Sequence, residues 1–161
     1  MMKRALILIA VVFQILLFSA CKADEKSILN LEDFSKNVSF FEGETELCGT
    51  FEYHSADDMS FVFQKPESLK GMKLQKNGAE WKLSFEETSC DFENPEKVFG
   101  GKKGFERLFE VFAACGGENP PRKQTKTRYK GTYAFGEAIF SVDESTNITA
   151  LRAGEYDYKF T

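Results

Sequence analysis

His54 is the one histidine in the chain, so a Cys–His or Ser–His nucleophilic pair would have to use it. It stands at the end of an alternating run, just before the polar Ser55-Ala56-Asp57-Asp58, where an exposed loop-edge histidine is the plainer expectation. The cysteines are Cys21, Cys48, Cys90 and Cys115. Spacings of 42 and 25 residues between the last three contain no Cys-x-x-Cys pair, so no metal site is expected. Those three allow one disulfide in any of three pairings, or unpaired thiols; Cys48, next to Leu47 on a strand, reads as a small packed residue. Asp57-Asp58, Glu86-Glu87 and Asp143-Glu144 fall in turns, where solvated carboxylates are the rule, whereas glycoside hydrolysis needs two facing across a cleft. Gly100-Gly101 and Gly116-Gly117 bracket a helix instead of following a strand, so no phosphate loop is built. Lys126, Arg128 and Lys130 form a short basic stripe, either the wet side of a strand or a contact for anionic lipid or polymer. No catalytic residue and no cofactor emerges, and a non-enzymatic role is expected.

The elements that position these residues are mostly strands. Period-two alternation runs through Leu47–Tyr53, Phe61–Phe63, Met72–Leu74 and Trp81–Phe85, with Asn77-Gly78 offering a tight hairpin turn. It resumes at Thr125–Lys130, Ala138–Val142, Ile148–Leu151 and Tyr156–Phe160. Between the two sets Phe105, Leu108, Phe109 and Phe112 recur at helical spacing, opposite Glu106, Arg107 and Glu110. Gly116-Gly117 should end that helix and Pro120-Pro121 prevent its continuation; a shorter turn of helix is expected over 95–99. About eight antiparallel strands and one amphipathic helix make an α+β domain. A strongly curved sheet would enclose a cavity and a flat one would fill it with core; the pattern fits both.

Ahead of this domain, Met1-Met2-Lys3-Arg4 is a basic opening and Ala5 to Phe18 is apolar but for Gln14. Such a run is short for a spanning helix and matches a secretory signal. Leu17-Phe18-Ser19-Ala20-Cys21 resembles the bacterial lipobox, with Phe18 where leucine is usual. The expected organisation is a signal peptide over 1–20, a lipidated Cys21 with a polar tether over 21–34, and one domain over 35–161. Cleavage after Ala23 and a retained membrane anchor are the alternatives. The last strand stops in mid-pattern at Phe160-Thr161 and could be incomplete. Of 161 residues, 21 are Lys or Arg and 25 Asp or Glu; losing Lys3 and Arg4 takes the net charge from −4 to −6. An acidic domain without a basic block is a poor nucleic-acid binder.

Phe61-Val-Phe-Gln-Lys-Pro66-Glu-Ser-Leu69-Lys-Gly71 resembles a strand, Pro, Leu-Lys-Gly, strand segment of small clostridial-type lipoproteins. Val142-Asp143-Glu-Ser-Thr146-Asn147-Ile-Thr-Ala-Leu151 resembles their Asp-x-x-Thr turn. Through these motifs the chain from about Asn37 is similar to the LolA-like lipoprotein-carrier superfamily. The resemblance implies an unclosed half-barrel with a helix across its mouth, over a cavity for an acyl chain or other hydrophobic ligand. The lipobox resemblance at Cys21, in turn, implies lipid anchoring on the outer face of the bacterial cytoplasmic membrane.

The chain holds 17 phenylalanines. Phe51, Phe61, Phe63, Trp81, Phe85, Phe105, Phe109 and Phe112 are therefore either an ordinary core or the wall of a hydrophobic cavity. A cavity of several hundred Å3 would favour a carrier. A filled core would favour an envelope module that holds a protein partner.

Overall fold

A computed structural model describes residues 28–93, 99–101, 103–117 and 119–161. Eleven strands form one antiparallel sheet: β1 (Phe34–Glu42), β2 (Thr45–Ser55), β3 (Asp58–Lys65), β4 (Lys73–Asn77), β5 (Glu80–Phe85), β6 (Thr88–Phe92), β7 (Arg122–Thr125), β8 (Arg128–Tyr133), β9 (Gly136–Val142), β10 (Ile148–Ala153) and β11 (Tyr156–Phe160). Helix α1 (Gly104–Cys115) falls between β6 and β7, and a 3-10 turn covers Glu67–Leu69. The spatial order is β6-β5-β4-β3-β2-β1-β11-β10-β9-β8-β7. Two meanders thus meet where β1 pairs with β11, and the sheet stays open at β6 and β7. Thr161 exchanges both backbone hydrogen bonds with Asn37, at 2.9 and 3.1 Å.

Helix contacts show that the sheet bends. Between β5 and β9 lie seven interstrand steps, about 34 Å in a flat sheet. Phe109 and Phe112 are one helical turn apart, about 4.5 Å along the axis. Yet Phe109 meets Trp81 of β5 at 4.9 Å between ring centroids, and Phe112 meets Phe140 of β9 at 5.8 Å. Only a sheet curving around the helix brings both within reach. The expected helix is present, with Phe105, Leu108, Phe109 and Phe112 all buried.

Three strands go beyond the eight expected. In β1 the adjacent Phe40 and Phe41 blur the alternation: Phe40 is buried and Phe41 is exposed on the other face. β6 and β7 are edges without an apolar face, Thr-Ser-Cys-Asp-Phe and Arg-Lys-Gln-Thr, so no burial pattern marks them. The folded part also begins before residue 35. Leu29 is buried and donates its backbone N–H to the Pro121 carbonyl at 2.9 Å, Ile28 bridges to Arg122, and Phe34 opens β1. The β4–β5 turn closes one residue later than expected: Asn77 pairs with Glu80, and Gly78 takes the left-handed φ of 60°. The signal peptide, Cys21 and the turn of helix at 95–98 lie outside the described residues. No described helix is long and apolar enough to cross a membrane.

Candidate functional site

The aromatic candidates sit where α1 lies in the hollow of the sheet. Along β2 and β3 the odd-numbered residues face the helix, so Phe51, Phe61 and Phe63 line up beneath it. Phe105 stands 5.0 Å from both Phe61 and Phe63, and 4.9 Å from Phe40. Phe51 meets Phe109 at 5.4 Å and Phe112 at 5.0 Å. These are the edge-to-face and tilted separations that aromatic pairs prefer. Phe51, Phe61, Phe109 and Phe112 have 0% of their surface exposed, Phe63 and Phe105 1%, and Trp81 7%. Seven of the eight candidates therefore form one filled layer.

Phe85 stands apart, 45% exposed at the end of β5 beside the turn residue Glu86. Its strand alternation is kept, but the helix does not reach that far along β5, and its ring lies over Gly71 instead.

Both ends of the helix are fixed to the sheet. No side chain of its own caps the first turn. The Gly104 N–H donates to Glu42 Oε2 of β1 at 2.9 Å, a carboxylate at the positive end of the helix. Glu42 Oε1 also accepts the Tyr156 hydroxyl at 3.1 Å, and Tyr158 donates its hydroxyl to the Gly104 carbonyl at 2.7 Å. At the far end Cys115 Sγ lies 3.1 Å from Tyr133 Oη. A Cβ on Gly116 would come within 2.5 Å of Tyr53 Oη, so this glycine serves close approach. Burial pushes the Cys115 thiol up to about 12 and the Tyr133 and Tyr158 hydroxyls upward, holding all three protonated. Glu42, Tyr133, Tyr156 and Tyr158 were not found from the sequence. For the two tyrosines of β11 the signal is the alternation that places Tyr156, Tyr158 and Phe160 on one face.

The remaining candidates are dispersed. His54 Nδ1 lies 3.4 Å from Asp33 Oδ2 with both side chains exposed. Cys48, Cys90 and Cys115 are unpaired thiols, respectively half-buried, exposed and buried. Among the described residues no group of three metal-ligating side chains gathers. The Asn147 side-chain amide donates to Asp143 Oδ2 at 3.0 Å, and the backbone N–H groups of Asn147 and Ser145 donate to Oδ1, each at 2.9 Å; these bonds hold the Asp143 carboxyl below the usual carboxylate range. The Asp-x-x-Thr segment is thereby a hydrogen-bonded turn. Open clefts of about 530, 370 and 610 Å3 lie elsewhere on the surface and none is lined by the eight aromatic candidates.

No family model and no curated protein matches the chain. Among solved structures it is similar to an uncharacterized conserved protein from Thermus thermophilus, at 12% identity, TM-score 0.47, over 81% of this chain and 76% of that one. It is also similar to a LolA superfamily protein from Nitrosomonas europaea, at 8% identity, TM-score 0.46, over 84% of this chain and 87% of that one.

Proposed function

We propose that this chain is an exported lipoprotein, anchored through Cys21 on the outer face of the bacterial cytoplasmic membrane, and that it acts as a non-enzymatic binding module with a filled core. The observation that carries this reading is the aromatic layer itself. Its rings touch one another at about 5 Å, and the helix above is tied at both ends by Glu42, Tyr158 and Tyr133. Binding then falls to the surface and to partners at the membrane. Mass spectrometry of the N-terminal peptide tests the anchor: a diacylglycerol mass on Cys21 is expected, and an unmodified terminus at Ala20–Lys26 would overturn it.

A second reading, a half-barrel carrier, keeps one observation in its favour: the layer is wholly apolar and sits in the hollow of a curved sheet. An acyl chain would have to displace the helix. Burying ten methylenes contributes roughly 8 kcal/mol, much the same as exposing three or four helix residues costs at about 2–3 each. Titration with a fluorescent fatty acid separates the readings. Saturable micromolar binding that is lost in Phe112→Asp, with the fold retained, supports the carrier; signal no higher than the nonspecific background supports the module.

A further inference from the structure

We infer that the β7–β8 hairpin is a membrane-facing surface, whose exposed cations lie against the anionic headgroups of the bilayer that holds the anchor. This deepens the proposed anchoring and rests on it for the position of the bilayer. The first observation is where the chain enters the fold. Ile28 bridges to Arg122 and Leu29 bonds to Pro121, so the N-terminal segment joins the sheet at its β7 edge. From Cys21 to Ile28 the chain reaches at most about 25 Å. The anchor therefore keeps β7, more than any other strand, close to the bilayer surface.

The second observation is charge. From Pro120 to Phe135 the chain carries Arg122, Lys123, Lys126, Arg128 and Lys130 and no carboxylate, in a protein of net charge −4. Arg122 stands directly opposite Lys130 in the ladder, and like charges so placed repel. Lys130 is met by Glu137, and Lys126 approaches exposed Glu144 only to 4.0 Å. Among the described residues no ion pair joins Arg122, Lys123 or Arg128 to a carboxylate. An anionic surface would relieve this repulsion. Lysines also guard edge strands against mispairing, but charge of either sign would serve for that. At the other end of the strand order, β6 and its flanks carry Glu86, Glu87, Asp91 and Glu93. The two edges are thus opposite in sign, and the basic one is the edge nearest the anchor. A lipid anchor and a cluster of cations together make the two-signal attachment that holds a protein stably on a bilayer.

The test uses the secreted chain with Cys21→Ala, which has no lipid, so it reports on the surface alone while the Cys21 mass reports on the anchor. It is sedimented with vesicles of phosphatidylglycerol and phosphatidylcholine, and with phosphatidylcholine alone. Binding to the anionic vesicles only is expected, weakening as salt rises. The triple change Arg122→Gln, Lys123→Gln, Arg128→Gln should lower partitioning on the order of 100-fold. The thermal midpoint should hold or rise, because the Arg122–Lys130 repulsion is gone. Neutralising Glu86 and Glu87 at the other edge should leave partitioning no weaker. Equal sedimentation with both vesicles, or a triple variant that partitions like the parent, overturns the inference.

Discussion

Tyr158 donates its hydroxyl to the carbonyl of Gly104 at 2.7 Å, which ties the last strand of the sheet to the first residue of its only described α-helix. The two residues are 54 apart in sequence, and Glu42 of β1 completes the clamp from the neighbouring strand. Tyr158→Phe keeps the ring and removes the bond. We expect a loss of about 1 kcal/mol in a denaturant titration, with the ring packing against Phe40 unchanged. A loss above about 3 kcal/mol would mean that the hydroxyl organises more than this one carbonyl.

Phe109 packs between Trp81 and Phe51 with none of its surface exposed. Phe109→Ala should cost about 3–5 kcal/mol, since the curved sheet cannot collapse into the space. Phe85→Ala, at the exposed end of β5, should change stability by less than about 0.5 kcal/mol. Comparing the two midpoints checks whether the helix is part of the core. Equal small effects would make it a loosely held lid and revive the carrier.

Gly49 shows a different constraint. A Cβ there would collide with the Val62 carbonyl and with the Phe61 ring, so the glycine is where β2 lets that ring lie flat on the sheet. Gly49→Ala should cost about 1–3 kcal/mol by overpacking. Adding Phe61→Leu should return part of it, because the ring can yield and the backbone carbonyl cannot. A double variant no better than the sum of the singles would place the whole clash on Val62.

Much of this architecture was legible because burial writes a period into the chain. β2 repeats Leu47, Gly49, Phe51, Tyr53 toward the helix, and α1 repeats Phe105, Leu108, Phe109, Phe112 toward the sheet. β6 and β7 were invisible because an edge strand with both faces wet has no such period. The sheet's curvature was not legible either, since it depends on which distant strands the helix touches. The same holds for the aromatic layer: the type and spacing of phenylalanines suit a wall and a core alike, and the 5 Å ring contacts join strands and helix that lie far apart in the chain. Glu42 gave no hint of its role, because its partners Gly104 and Tyr156 are far along the chain.

Alkaline pH offers a test of the helix C-terminus. In the folded chain burial holds the Cys115 thiol up to about 12, against an ordinary value of 9.0. The folded state therefore keeps a proton that the unfolded chain releases, and by linkage this stabilisation is complete below pH 9 and lost as pH rises from 9 toward 12. Tyr133 and Tyr158 are raised from 10.0 in the same way, so their share of the loss begins about one pH unit higher. Between pH 9 and 10 the slope belongs mainly to Cys115, with a smaller part from Cys48, whose thiol is also raised by burial. Cys115→Ser keeps a hydroxyl that can bond to Tyr133 but has no group titrating in this range. Denaturant midpoints taken at half-unit steps from pH 8 to 11 should fall from pH 9 in the parent, while the serine variant should fall only by the small share of Cys48 before about pH 10. An identical decline in both would mean that the thiol is already open to solvent, and that the end of α1 is not closed by Tyr133 as the 3.1 Å contact describes.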